Sequence, residues 1–162
     1  MVKDNSTKLI RSGLKRTEFM ETSEPLFLTS GFVYNSAEEA EDAFKERKKR
    51  FMYSRFGNPT VKMLQDKLAD IEGAEVCWCT STGMAAVFTI FMSFLKKGDR
   101  VVAGRALFGS CHHIITKILP RFGIEIELID GKDLNAWDKA LKKRTSLIFF
   151  ETPSNPCLEI ID

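Results

Sequence analysis

Neither sign of charge dominates this sequence, because Lys and Arg together number 24 and Asp and Glu number 22, which leaves a formal net charge of +2. This balance gives no general reason to expect nucleic acid or a membrane surface as a partner. A long hydrophobic run is also missing, since the longest, residues 84–95, is interrupted by Thr89 and Ser93, whereas a membrane span needs about 20 apolar residues. The N-terminus has no apolar core of the kind found in signal peptides, so we expect a cytoplasmic protein.

Cysteine carries no disulfide or metal signature here. The four cysteines are Cys77, Cys79, Cys111 and Cys157. They form no C-x-x-C pair, so we expect reduced thiols in the cytoplasm. His112 and His113 follow Cys111, but neighbouring side chains on a helix point about 100° apart, which makes a shared metal ion awkward. No metal site is therefore expected.

Two phosphate-binding signatures are also absent. Neither G-x-G-x-x-G nor G-x-x-x-x-G-K-[ST] occurs, which argues against a nucleotide-binding module of Rossmann type while leaving it as an alternative. Five of the six residues of KERKKR at 45–50 are basic, so a nucleic-acid interface is a second alternative. The acidic run EEAED at 38–42 offsets this charge, and a solvated helix end is the simpler interpretation.

The 162 residues divide into a part without clear periodicity and a part with a regular rhythm. Residues 1–60 predict an extended N-terminal arm with one short helix near 37–48, and we expect this arm to dock on another subunit. Residues 61–162 predict an α/β domain with a mainly parallel sheet, because helical and strand-like segments alternate there. The predicted strands lie at 74–79, 99–104, 124–130 and 145–151, and the helices at 59–72, 83–98, 109–123 and 134–143.

Polar and aromatic residues follow several of these strands, where an open parallel sheet binds its ligands. In TSTGM (80–84), Thr82 and Gly83 open a helix, and free N–H groups at such a position can cradle a phosphate. An ordinary N-cap explains the same residues. Phe108 follows the next strand, where it either stacks on a planar ring or simply packs.

Two further segments carry candidate residues. ETPSNP (151–156) follows a buried strand, so Glu151 and Asn155 either serve a site there or only build a turn with the two prolines. In YSRFGNPT (53–60), Tyr53 and Arg55 lie two residues apart and face the same way on an extended segment, where they can clamp a phosphate.

Together, YSRFGNPT, TSTGMAA, LFGSC and ETPSNP, in this order, resemble the Cys/Met-metabolism family of pyridoxal-phosphate (PLP) enzymes, the cystathionine γ-synthase group. The resemblance starts near Leu9 and is strongest to the O-succinylhomoserine sulfhydrylases within that family. It implies the fold-type I, aspartate-aminotransferase-like architecture, with the N-terminal arm and the first part of the large sheet domain present and the C-terminal domain absent.

By this resemblance the cofactor is pyridoxal 5'-phosphate. Thr82, Gly83 and Met84 hold its phosphate, Phe108 lies on its ring, and Asn155 contacts its phenolic oxygen. Glu151 helps to set the surroundings of the ring. Tyr53 and Arg55 reach the phosphate of a neighbouring subunit, which implies at least a dimer and, in a full-length enzyme, a dimer of dimers.

The implied reaction is a γ-replacement in methionine biosynthesis, in which an activated homoserine ester loses succinate and takes up sulfide or cysteine. Most of the family has Tyr at the position of Phe108, so proton transfer by that side chain is not expected here. The family's Schiff-base lysine and its pyridinium-binding aspartate lie beyond the motifs present, so we expect no catalytic residue in this chain and no turnover. The alternatives are a cystathionine γ-synthase or γ-lyase fragment and a non-catalytic module that binds phosphate or pairs with a full-length relative.

Overall fold

A computed structural model describes residues 5–162 of the chain, with the side chain of Asn5 left aside. The chain divides into two compact units, the first ending at Cys79 and the second running from Thr80 to Asp162. The predicted boundary between an arm and an α/β domain, at residues 60 and 61, is a division by role and stays a prediction. No helix among the described residues is long and apolar enough to cross a membrane.

The described part of the first unit, residues 5–79, contains the helices α1 (Asn5–Arg11), α2 (Ala37–Phe44) and α3 (Pro59–Glu72). The predicted limits of α3 are confirmed. Asn58 accepts the N–H of Thr60 at 2.9 Å through its side chain, Pro59 occupies the first position, and Gly73 ends the helix at φ 66°. That left-handed conformation is one that glycine adopts without a steric penalty.

Helix α1 was not predicted, and it packs on α3. Lys8 Nζ lies 3.5 Å from Asp70 Oδ1, and Ser12 donates a hydrogen bond to the same carboxylate. Gly13 follows α1 at φ 74°, and a Cβ built on it would lie 2.3 Å from the carbonyl oxygen of Met63. The polar sequence of α1 shows no apolar periodicity, so the sequence did not predict a helix there. A close approach of backbones at Gly13 contributes to holding α1 against α3.

The second unit alternates helices and strands. Its elements are α4 (Gly83–Phe94), β1 (Arg100–Gly104), α5 (Gly109–His113), β2 (Glu125–Ile129), α6 (Leu134–Leu141) and β3 (Leu147–Phe149). The predicted helix at 109–123 is not uniform, because α5 continues as a π-helical turn (Ile114–Ile118) and a 3-10 turn (Leu119–Phe122).

The three strands form a parallel sheet in the order β2-β1-β3. Val101 pairs with Ile126 of β2 and with Leu147 of β3, and every residue of β1 is buried. Phe91 of α4 is fully buried in the core below the sheet, with its ring 5.1 Å from that of Phe149. The prediction of an α/β unit with a parallel sheet is confirmed.

Two details of the predicted sheet are wrong. Residues 74–79 form no strand, because nothing pairs with them, and Val76 and Trp78 are 70% and 77% exposed. The strand before ETPSNP was expected to be buried, but β3 lies at an edge of the described sheet and Ile148 is 45% exposed. An apolar sequence thus indicated strand character correctly in β3 but did not fix its place in the sheet.

Arg100 begins the central strand and is 5% exposed. Its guanidinium donates to the carbonyl oxygen of Ala140 at 3.1 Å and to the hydroxyl of Thr145 at 2.6 Å, and it pairs with the carboxylate of Glu127. One buried cation therefore joins β1, β2, the end of α6 and the segment before β3.

Candidate functional site

The start of α4 is the first part of the candidate site. Thr82 has extended backbone, with φ −152° and ψ 159°, and its hydroxyl oxygen accepts the N–H of Ala85 at 3.0 Å. The carbonyl oxygen of Thr82 accepts the hydroxyl of Thr80 at 2.7 Å. Thr82 is thus an N-cap, as the simpler interpretation predicted, and its hydroxyl proton is still available to donate.

The same helix start presents two backbone donors. Among residues 5–162, no group accepts a hydrogen bond from the N–H of Gly83 or Met84, because the first residues of a helix lack an intrahelical acceptor. A Cβ built on Gly83 meets no heavy atom within 4 Å, so the space beside these donors is open. The side chain of Met84 packs against the core. Two such donors at the positive end of a helix can bind an anion.

Glu151 joins two of the predicted site loops. Its carboxylate oxygens accept the backbone N–H of Phe108 at 2.9 and 3.0 Å, and Oε2 also accepts the backbone N–H of Asn155 at 3.2 Å. Phe108 follows β1 and Asn155 follows β3, and these parallel strands are neighbours. The two loops therefore lie side by side at the carboxyl ends of β1 and β3, and Glu151 connects them there.

The side chains of Phe108 and Asn155 remain accessible. Phe108 is 43% exposed, and Asn155 is exposed with no hydrogen bond from its side-chain amide to any described residue. A flat apolar ring and a free amide are thus available beside the second strand-end loop, while the carboxylate of Glu151 is taken up by backbone donors.

Cys111 lies close to this carboxylate. Burial first, and then the neighbouring charge of Glu151, raise the pKa of the Cys111 thiol above its ordinary range. Because the thiolate is the reactive form of cysteine, this buried thiol is an inert packing group.

Several polar residues at the carboxyl ends of the strands were missed. Arg105, Asp130 and Glu159 line a small open cavity of about 220 Å³ with Ala106 and Gly131. Lys132 Nζ lies 3.1 Å from Glu159 Oε1, and this hydrogen bond raises the pKa of Lys132. Arg105 directly follows the buried strand β1, which is the signal that sequence reasoning could have used.

Tyr53 and Arg55 lie together in the first unit, though not on extended backbone as predicted. The chain turns at 54–56, and the guanidinium of Arg55 lies 4.9 Å from the centre of the Tyr53 ring. Ser54 anchors the turn, since its N–H donates to the carbonyl oxygen of Ser30 at 2.8 Å. Both site side chains are exposed, and no carboxylate among the described residues forms an ion pair with Arg55.

The basic run at 45–50 is largely neutralised by α2. Lys48 and Arg50 pair with Glu39 at 2.9 and 3.0 Å, and Arg47 pairs with Asp42 at 3.3 Å. Hydrogen bonds from the Asn35 backbone and from Lys48, together with these charges, lower the pKa of Glu39 to about 2. Within the described part of the chain, no group of three or more His, Cys, Asp or Glu side chains is placed to hold a metal ion.

Comparison with known proteins decides the family. The model of the Cys/Met metabolism PLP-dependent enzymes matches residues 6–162. The chain belongs to this family. Membership makes PLP the cofactor against which the site has to be judged.

The similarity to curated relatives extends over most of the chain. The chain is 48% identical over 153 residues to an O-succinylhomoserine sulfhydrylase of Mycobacterium tuberculosis. This match covers 94% of the chain and 38% of the relative. It is 39% identical to the enzyme of the same name from Pseudomonas aeruginosa and 35% identical to an L-methionine gamma-lyase of Fusobacterium nucleatum. The chain thus spans about two fifths of the length of these relatives.

Solved structures of the family share the fold. An O-acetylhomoserine (thiol)-lyase from Campylobacter jejuni, which carries N'-pyridoxyl-lysine-5'-monophosphate at position 205, superposes with a TM-score of 0.89 at 28% identity over 98% of this chain and 39% of that chain. The metB protein from Corynebacterium glutamicum also gives a TM-score of 0.89, at 31% identity over 99% of this chain and 40% of that one. The predicted fold-type I class is thereby confirmed.

The residues at the start of α4 fit the phosphate of PLP. Gly83 and Met84 offer two free N–H groups, and the open space beside Gly83 admits a group that a side chain would otherwise fill. The exposed ring of Phe108 is suited to stack on a pyridine ring.

Proposed function

We propose that this chain is part of a cytoplasmic PLP-dependent trans-sulfuration enzyme of the O-succinylhomoserine sulfhydrylase type. Such an enzyme replaces the succinate of an activated homoserine ester by sulfide and forms homocysteine. The pair of free N–H groups on Gly83 and Met84, beside open space, is the observation that carries the proposal. The identity of 48% to a sulfhydrylase supports the choice of reaction.

Each site residue of the second unit has a proposed role toward the cofactor, which, when bound, withdraws electrons from the α-carbon of the substrate. The N–H groups of Gly83 and Met84 and the hydroxyl of Thr82 hold its phosphate. The ring of Phe108 lies against the pyridine, and the amide of Asn155 donates to the phenolic oxygen. Because Phe108 has no hydroxyl, it orients the ring without moving a proton.

We place no Schiff-base lysine among these 162 residues. Lys132 lies in the loop after β2, but the hydrogen bond and charge of Glu159 raise its pKa, and a protonated amine is not a nucleophile.

Tyr53 and Arg55 are proposed to act in a neighbouring subunit. Their side chains are exposed, the guanidinium of Arg55 has no carboxylate partner among the described residues, and the turn that presents them is hydrogen-bonded at Ser54. A phosphate is the ligand that a free guanidinium and a phenol suit. The active site then needs two chains, in a dimer or a dimer of dimers.

A γ-lyase is the second candidate, because relatives that are 35% identical are L-methionine gamma-lyases. The two activities differ in their products, since a sulfhydrylase makes homocysteine from an ester and sulfide, whereas a lyase releases a thiol from methionine. Assays of a full-length enzyme with both substrate sets separate them.

The binding site is tested on the chain itself. PLP, pyridoxal and inorganic phosphate are titrated separately into the 162-residue protein, and cofactor binding is followed by absorbance. We expect PLP to bind at least about tenfold more tightly than pyridoxal, because only PLP carries the phosphate that the two N–H groups hold. Equal affinity for PLP and pyridoxal would contradict the proposal that the N–H groups of Gly83 and Met84 hold the phosphate.

The lysine proposal is tested by adding borohydride to the PLP-saturated chain. We expect no stoichiometric reduced adduct on a single lysine, and mass spectrometry of the digested protein shows whether one has formed. A defined adduct, at Lys132 for example, would overturn the placement of the Schiff base outside these residues.

A further inference from the structure

We propose that Glu151 is a positioning residue, whose carboxylate sets the Phe108 ring and the Asn155 amide by bridging their backbones and does not itself contact the cofactor. This inference rests on the proposed function, which places those two side chains at PLP. It replaces the earlier expectation that Glu151 belongs among the cofactor-binding residues.

The bridge is formed by groups that are far apart in sequence. Both carboxylate oxygens accept the N–H of Phe108, at 2.9 and 3.0 Å, across 43 residues, and Oε2 also accepts the N–H of Asn155 at 3.2 Å. A carboxylate is an acceptor only, and hydrogen bonds from N–H groups to a charged acceptor are among the stronger ones in proteins. The negative charge therefore fixes two backbone positions at once.

The loop that carries Asn155 is anchored from its other side as well. Ser154 is 1% exposed, its N–H donates to the carbonyl oxygen of Glu159 at 3.0 Å, and its hydroxyl accepts the N–H of Glu159 at 3.1 Å. Thr152 accepts the N–H of Ile161 at 3.1 Å through its hydroxyl. These bonds hold the far side of the loop, and Glu151 joins the loop to the backbone of Phe108.

Glu151 differs in exposure from the two side chains that it is proposed to position. The Phe108 ring is 43% exposed and the Asn155 side chain is exposed, whereas Glu151 is partly buried with both oxygens engaged. The same carboxylate also lies close enough to the buried Cys111 to influence its thiol. The contacts of the Glu151 carboxylate are thus with other groups of the protein.

The test measures amide hydrogen exchange of the 162-residue chain by NMR without any cofactor. In Glu151→Ala we expect the N–H groups of Phe108 and Asn155 to exchange at least about tenfold faster, because each loses its charged acceptor. Glu151→Gln has nearly the same shape and keeps one acceptor oxygen, so we expect a smaller effect on the same two groups. It also keeps the test decisive if the alanine variant fails to fold.

Glu159→Gln is the matched control. Its carboxylate pairs with the side chain of Lys132 and with neither of the two backbone groups, so the exchange of Phe108 and Asn155 should not change. Unchanged exchange in both Glu151 variants would overturn the proposal.

A second readout uses bound PLP. In Glu151→Gln we expect the circular dichroism of the bound cofactor to weaken while the affinity changes by less than about threefold, because the phosphate contacts remain. A large loss of affinity without any change in exchange would make Glu151 a cofactor ligand and refute the proposal. A wild-type chain that shows the exchange effects but binds no PLP would contradict the proposed function and leave the bridge in place.

Discussion

Replacing Gly83 by valine tests the phosphate cradle directly. A Cβ at this position meets no heavy atom within 4 Å, and the residue lies outside the left-handed backbone region, so the fold accommodates the new side chain. The valine instead fills the space in which we place the phosphate. Ligand binding should therefore change while stability does not.

The size of the effect follows from the donors involved. Gly83 and Met84 each present one N–H group without an acceptor among the described residues, and a hydrogen bond to a charged group contributes about 1.5–3 kcal/mol. Loss of one such bond weakens binding about tenfold to 150-fold, and loss of both weakens it further. The helix propensity of valine exceeds that of glycine by only a few tenths of a kcal/mol, so the unfolding free energy should change by less than about 1 kcal/mol.

Affinity for PLP and for pyridoxal is measured for the wild type, Gly83→Val and Ser93→Val. Ser93 is an exposed residue near the end of the same helix, so its variant adds an identical side chain away from the cradle. We expect Gly83→Val to weaken PLP binding and to leave pyridoxal binding and the thermal midpoint unchanged. Wild-type affinity for PLP in Gly83→Val, or an equal loss for both ligands, would refute the reasoning.

Three predictions concern stability. Phe91→Ala should lower the unfolding free energy of the second unit by about 3–5 kcal/mol in urea denaturation, because Phe91 is fully buried. Phe94→Ala, at a side chain that is 72% exposed, should lower it by less than about 1 kcal/mol. Similar losses in the two variants would contradict the assignment of Phe91 to the core. The stabilisation that Glu39 contributes should be present above its ordinary pKa of 4.5 and be lost as the pH falls toward its folded pKa of about 2, and circular dichroism of Glu39→Gln should show no such loss. Asn58→Ala should destabilise α3 by about 1–3 kcal/mol in thermal melts, and Asn58→Asp, which keeps the cap but not the 2.9 Å hydrogen bond to the carbonyl oxygen of Phe27, should recover the capping part alone.

Local signals in the sequence predicted much of the fold. Asn58 and Gly73 marked the ends of α3 because caps are set by neighbouring residues and leave a clear trace in composition. The helices and strands of the second unit appeared in the predicted order because their apolar periodicity reflects burial. The motifs also predicted the family and its cofactor, and the family match over residues 6–162 confirms both.

The remaining features depend on partners that are distant in sequence. Residues 74–79 have the composition of a strand, but strand formation needs a neighbouring backbone, and none pairs with them. The contacts of Glu151 could not be predicted from ETPSNP, because its carboxylate accepts the N–H of Phe108, 43 residues earlier. The roles of Tyr53, Arg55 and the other proposed cofactor ligands stay predictions.

The buried guanidinium of Arg100 has a consequence for how the second unit assembles. Its charge is compensated by groups contributed by Glu127, Ala140 and Thr145, which come from three different places in the chain. If any of them were still unfolded, a cation would be cut off from water without full compensation, and intermediates of that kind are costly. We therefore expect β1, β2 and the segment before β3 to form cooperatively, because β2 and that segment each supply a partner to this buried cation.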